Sequence, residues 1–454
     1  MESFADKIDR PVREEQYRRE AFRVDLTFAP DEIPVKKGET IGLSGNSGSS
    51  GGPHLHMEVR DTRTEYALDP MPYFRRLITD NVAPEMRSLA LYPRKGVVDG
   101  KQQSAYRSGK TIAQPFTAWG EVVPGIKAYD RMTGTTNIYG IRLLTLTVDG
   151  KEVYRRTIDH VDFNRTRAIN TIIDYPDLVN SKSWMMTSAV PQSMPLSDII
   201  KADNDGVITI DEERDYRCVW TMEDAHGNRS KASFTIRGVR SDIPTKAPKG
   251  DLFHWDGTNA VRTDAYTAIF PAETFYDNIS FTSSSVASAD FCSPIVTLGK
   301  TDTPLARNFD LSIALSSDTL ANKSQYCLVR IDGKKRTAVE ASYSDGHMKA
   351  TPNRLGRYAV TTDTKAPVIT PLRSERWGSS GTITYKIADN LSGIKDYRCE
   401  IDGKFVLIEF DGKTGRLSYR LEASRVGKGK KHTAKLTVTD VCGNTSTSED
   451  TFTW

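Results

Sequence analysis

The sequence predicts a mainly β protein, with a short N-terminal piece followed by three β-sandwich domains of immunoglobulin-like type. Three observations lead there. From about residue 75 to the end, short apolar alternations are separated by Gly, Asp and Asn turns, the pattern of sandwich strands. A punctuation mark recurs as Asp80-Asn81-Val82-Ala83-Pro84, Thr245-Lys246-Ala247-Pro248 and Asp363-Thr364-Lys365-Ala366-Pro367, each followed by a fresh strand-like run, with proline where a linker or edge tolerates it. An Asp-x-x-Gly-Asn turn, Asp224 to Asn228 and Asp440 to Asn444, precedes what reads as a last strand in two of the domains. The expected domains are 1–79, 80–242, 243–364 and 365–454. The first is small for an independent core.

Taken in order, the chain opens with Phe4, Ile8, Val12, Tyr17 and Phe22 at steps of four or five. That spacing predicts an amphipathic helix over roughly 3–20, or two shorter ones if Pro11 breaks it. Phe22, Val24, Leu26 and Phe28 alternate as on a strand, and Ile41 and Leu43 share a face of another beyond the turn at Lys37-Gly38-Glu39. Further on, Asp149-Gly150, Asp332-Gly333 and Asp402-Gly403 read as hairpin turns, where Asp-Gly supplies positive φ.

Composition excludes several classes. The 454 residues carry 62 Lys and Arg against 59 Asp and Glu, with no basic block of the kind that binds nucleic acid. No apolar run is long enough for a transmembrane helix. Five scattered cysteines form no C-x-x-C pair, which excludes a zinc ribbon or thioredoxin motif. Cys399 and Cys442 share the last domain, so an inter-sheet disulfide there is open. Met1 to Lys7 is polar and charged where a signal peptide would be apolar.

The most chemically suggestive stretch is Gly45 to Arg60. On a strand, His54, His56, Glu58 and Arg60 share one face, about 6–7 Å apart, while Leu55, Met57 and Val59 share the other. Two imidazoles so placed can serve one metal centre, and Gly45, Gly48, Gly51 and Gly52 let the backbone turn tightly and leave room for a substrate chain. The plain alternative is two polar surface histidines. The pattern Gly38-x-x-Ile41-Gly42-x-Ser44-Gly45-Asn46-Ser47-Gly48, then Gly52-Pro53-His54-Leu55-His56-Met57-Glu58-Val59-Arg60, resembles the C-terminal half of the lysostaphin/LytM-type (M23) zinc metallopeptidases over roughly residues 33–75, including Asp69-Pro70. The resemblance implies a partial LytM-type β-sheet domain, with His56 a zinc ligand, His54 a catalytic histidine, Zn2+ as cofactor, peptidoglycan peptides as partner, and a periplasmic, cell-envelope or secreted location.

The sequence departs from that family. The family's remaining ligands come from an upstream His-x-x-x-Asp, and a second catalytic histidine from Tyr-x-His. The residues four beyond His160, His226, His254, His347 and His432 are Asn164, Ser230, Thr258, Thr351 and Leu436, so neither element is present. The chain alone is therefore expected to be inactive and to hold no zinc stably. Met1-Glu2-Ser3-Phe4 resembles the segment that follows Tyr-x-His in the family, which makes Met1 an expected internal methionine of a longer secreted enzyme. The rivals are a non-catalytic cell-wall-binding or hydrolase-activating protein with a degenerate peptidase domain, and a surface scaffold of immunoglobulin-like domains.

Other motifs read as structural. Lys201 to Glu212 mimics an EF-hand loop, but Lys201 stands where the first carboxylate ligand belongs and Val207 to Ile210 is β-branched, so it reads as a turn. His226 reads as a turn residue and His160, near Asp162, as strand surface. The serines between Ser280 and Ser288 have no accompanying base.

Overall fold

The computed structural model describes residues 3–46, 51–109, 111–245 and 247–454. The chain is mainly β, built of many short sheets around three large hydrophobic cores.

The first core lies within residues 86–236. Two 14-residue strands, Glu85–Val98 and Phe116–Tyr129, pair antiparallel along almost their whole length. Residues 85–98 bulge at Met86/Ser88 and Pro93/Lys95, and bulges bend a strand and increase its twist. The other edge of 116–129 changes partner along its length, meeting 236–238 in parallel, then 208–210, then 186–187. Such a strand joins two layers. The bend needs glycine, because a Cβ on Gly96 would lie 2.5 Å from the Trp119 carbonyl oxygen. In Asp215–Glu223 the apolar residues alternate as on a strand with one covered face: Tyr216, Cys218, Trp220 and Met222 are buried.

The second domain stacks two five-stranded sheets over an aromatic core of Phe253, Phe270, Phe275, Phe281 and Phe309. Phe253 and Phe281 stack at 4.3 Å and Phe270 and Phe309 at 4.7 Å between ring centres. The third stacks two four-stranded sheets around Trp377, Tyr385 and Phe452. The Asp-Gly turns close the hairpins as predicted: both residues of Asp149-Gly150 and Asp402-Gly403 have positive φ, as does Gly333. All five cysteines are free thiols. Cys399 is in the third core, whereas Cys442 packs with Cys327 of the preceding domain, so the last domain has no Cys399–Cys442 bridge.

The N-terminal piece departs most from expectation. Asp6–Arg19 is one continuous helix through Pro11. Residues 22–28, read as a strand, form no strand with any of the described residues, and the strand expected over 54–60 is reduced to Val59–Arg60. None of the described residues before Asp80 is buried, so no partial LytM-type sheet domain with a core is formed. The cause is the absence of a second apolar layer: strands persist where a neighbour takes up their backbone groups and their apolar face is covered. Leu55 and Met57, the face expected to pack into a sheet, are 75% and 60% exposed.

Candidate functional site

His54 and His56 lie on an extended, exposed segment between Gly52 and Val59. The His54 ring Nδ1 is 2.9 Å from the Gly52 carbonyl oxygen. The His56 Nε2 is 2.7 Å from Glu58 Oε1, and Arg60 donates to the other Glu58 oxygen at 2.7 Å. Hydrogen bonds from Arg60 and then His56 hold the Glu58 carboxyl below its ordinary range. Residues 56, 58 and 60 are thus linked, as the same-face reading requires, but in a row along the chain and not around a centre. Gly51 and Gly52 lead into the histidines, with nothing within 4 Å of where a Cβ would stand on either; Gly45 is half-buried, and Gly48, with Ser47, Ser49, Ser50, Met1 and Glu2, lies outside the described residues. Among the described residues, neither histidine belongs to a group of three potential metal ligands. The described donor set does not fit zinc: the Nε2 of His56 faces Glu58, and among the described residues no third protein ligand converges, where a catalytic zinc needs three.

This segment runs into a small sheet in which Val59–Arg60 pairs with Ala67–Leu68, and Ala67–Leu68 with His160–Val161 of the first sandwich. Tyr66 stacks on His160 at 5.7 Å, and Arg60 lies over the Phe163 ring at 4.8 Å. His160 bridges Asp159 (2.7 Å) and Asp198 (2.9 Å), not Asp162, and the Asp198 hydrogen bond raises its pKa. The EF-hand-like stretch is a turn joining Ile200–Ala202 to Ile208–Ile210, with Lys151 paired to Asp203.

The side chains that do converge are two acidic trios, the buried Asp80/Asp130/Asp224 and Asp363/Asp389/Asp440, of which Asp389 is half-buried; within each, the carboxylate oxygens lie within 4.8 Å of one another. Each trio is assembled in the same way. One aspartate comes from the linker entering the domain, one from the end of a strand, and one from the Asp-x-x-Gly-Asn turn. In the first, Asn228 Nδ2 donates to the Asp80 carbonyl (3.1 Å) and to Asp224 Oδ2 (2.8 Å), while Ser230 donates to the Pro84 carbonyl. In the second, Asn444 Nδ2 donates to the Asp363 carbonyl (2.9 Å) and to Asp440 Oδ2 (2.8 Å), while Ser446 donates to the Pro367 carbonyl. The two punctuation marks seen separately in the sequence are thus the two halves of one latch. Asp130 and Asp389 were missed; an aspartate after a strand, at Tyr129-Asp130 and Ala388-Asp389, is the only local signal they carry.

Residues 250–363 match the Zu5-like domain family, which covers a minority of the chain. No curated protein matches it. Among solved structures, a tetra-tandem repeat from the extending region of a large adhesion protein aligns over 83% of this chain and 93% of its own at 13% identity, TM-score 0.18. A 1.5-MDa bacterial ice-binding adhesin aligns over 74% and 90% at 13% identity, TM-score 0.14. SGBP-B of the Bacteroides ovatus mixed-linkage glucan utilization locus, solved with a mixed-linkage heptasaccharide, aligns over 74% and 63% at 12% identity, TM-score 0.12. The metallopeptidase expectation is corrected: the family model that matches is a Zu5-like domain, over residues 250–363. Among the described residues no helix is long and apolar enough to cross a membrane.

Proposed function

We propose that this chain is a non-catalytic cell-wall-binding protein, in which three immunoglobulin-like domains form an extracellular array of fixed geometry. Residues 33–75 are read, on their sequence alone, as an M23-type segment that has kept its wall-facing loop without its chemistry. The observation that carries the fixed geometry is the pair of interdomain junctions. Gln192 exchanges hydrogen bonds with the second domain, its N–H to Asp277 Oδ1 (2.8 Å) and its Oε1 from the Asn278 N–H (2.9 Å). Between the second and third domains, Gln325 donates to Asn444 Oδ1 (2.7 Å), Ser324 to the Cys442 carbonyl (2.9 Å), and Cys327 packs on Cys442. The helix Asp6–Arg19 is anchored to the third domain too, with Tyr17 edge-on to Phe405 and the Arg425 guanidinium over its ring.

The test is co-sedimentation of the purified chain with insoluble peptidoglycan, with and without added Zn2+, followed by analysis of released peptides. Binding without peptide release is expected in both conditions. Zn2+-dependent release would overturn the non-catalytic reading, and failure to sediment would overturn the wall-binding one.

A further inference from the structure

The trio at the entrance of the first sandwich is built as a ligand site without a protein counter-charge. Asp80, Asp130 and Asp224 are 5%, 5% and 2% exposed. Their oxygens are divided in use. Asp80 Oδ1 accepts from the N–H groups of Val82 (3.1 Å) and Thr133 (2.9 Å) and from the Thr133 hydroxyl (3.2 Å), and Asp224 Oδ1 accepts from the N–H groups of His226 (2.8 Å) and Asn228 (2.9 Å). Asp80 Oδ2 and Asp130 Oδ1, by contrast, are buried with no hydrogen-bond donor among the described residues. Buried polar atoms are nearly always partnered, and an orphan needs an explanation. Two on adjacent carboxylates point to a missing cation.

The charged groups around the trio do not supply it. His226 is nearest, its Nδ1 3.9 Å from Asp80 Oδ2. Arg142 is directed to Asp69 (3.4 Å) and Glu223 (3.7 Å), and Arg131 to the Thr136 carbonyl (3.0 Å). Burial, and then the neighbouring Asp224 and Asp80 charges, push Asp130 up to about 6, a measure of how poorly the protein alone accommodates it.

We propose that Asp80, Asp130 and Asp224 bind one hard divalent cation of the size of Ca2+. Three oxygens within 4.8 Å of one another lie no more than about 2.8 Å from a common centre, and a small inward movement gives the 2.3–2.6 Å of Ca2+–oxygen bonds, whereas Mg2+ demands a tighter octahedron. All three protein donors are carboxylate oxygens, the chemistry that selects such ions over zinc. Remaining positions are open to water, because Asp80 and Asp130 line a cavity of about 460 Å3 between the first sandwich and residues 67–71. The ion would tie the domain's entry linker, a strand end and its last turn to one point, and the recurrence of the trio at Asp363, Asp389 and Asp440, where Asp389 Oδ1 is likewise unpartnered, is the same construction used twice.

The experiment is thermal unfolding and hydrogen exchange on the full chain after EDTA dialysis, with CaCl2 titrated in and MgCl2 as a parallel arm, for wild type and Asp130→Asn. In the wild type, Ca2+ at a hundred times its Kd is expected to raise the folded-to-unfolded ratio of this domain about a hundredfold, and to slow exchange in peptides covering 80–84, 128–133 and 222–228, with Mg2+ much weaker. Asp130→Asn removes one of three crowded charges. It is therefore expected to be at least as stable as wild type in EDTA and to lose the Ca2+ response in those peptides. The proposal is overturned if those wild-type peptides exchange at the same rate with and without Ca2+, or if Asp130→Asn retains the full response. The first readout needs no variant and holds even if the substitution impairs folding.

Discussion

The Asn444 latch offers the most direct test of how these domains are held together. Its side chain is 9% exposed and makes three hydrogen bonds: to the Asp363 carbonyl, to the Asp440 carboxylate, and from Gln325 of the preceding domain. Asn444→Ala removes all three and leaves a buried carboxylate oxygen and a buried carbonyl short of a donor. A bond to a charged group contributes about 1.5–3 kcal/mol and a neutral one about 1 kcal/mol, so a local loss of about 3.5–5 kcal/mol is expected. Asn228 holds the equivalent place in the first domain but has only the first two of these bonds, so Asn228→Ala is expected to cost about 1 kcal/mol less. Hydrogen exchange read by mass spectrometry resolves the two sites within one chain. A local loss of about 3.5 kcal/mol, the lower end of that range, speeds exchange by roughly several hundredfold in the peptides covering 363–368 and 440–446 if they open locally. The additional consequence of losing Gln325 is faster exchange around residues 324–327, which Asn228→Ala does not produce. An acceleration below about fivefold in Asn444→Ala, or equal effects of the two substitutions in their own domains, would refute this account of the latch.

Three further outcomes are expected. Arg156 is buried, and among the described residues its Nε and Nη1 have no hydrogen-bond partner, while the Ile141 carbonyl and Met186 sulfur accept from Nη2; burial lowers its pKa, and Arg156→Met should raise the first domain's stability by about 1–3 kcal/mol in urea unfolding, a clear loss being the contrary result. Gly206 has φ +72°, and a Cβ there would sit 1.7 Å from the Ser188 carbonyl oxygen, so Gly206→Ala should cost roughly 3 kcal/mol or more, and a loss under about 1 kcal/mol would show that the turn can relax. His160, raised first by its hydrogen bond to Asp198, adds stability that is full below the ordinary histidine value of about 6.5 and lost as pH rises through the folded-state pKa; exchange at residues 67–68 should quicken over that interval, and should cease to depend on this pH step in His160→Gln.

Local chemistry made much of this architecture legible. Asp-Gly turns demand positive φ wherever they stand, and short apolar alternations between turn residues, of which 215–223 is one, fit strands with one covered face, so the general pattern was readable without a partner in view. The alternation at Phe22, Val24, Leu26 and Phe28 was equally regular and formed no strand. A repeat of apolar residues states what a strand would bury and not whether a second layer exists to bury it. The same holds for His54 and His56, where the motif defines one face of a site and tertiary structure supplies or withholds the others.

The candidate cation site shows the complementary case. Asp80 and Asp224 were visible as punctuation, but they are separated by the whole first sandwich, and Asp130 stands in no motif at all. The sequence by itself determined that the chain is mainly β and where its hairpins turn. Only the tertiary structure decided that the N-terminal piece builds no core of its own, that linker and last turn close on each other, and that three carboxylates meet in one buried place. Turn geometry is fixed by the φ preferences of one or two residues, whereas burial and charge crowding depend on which distant segments the fold brings within a few ångströms.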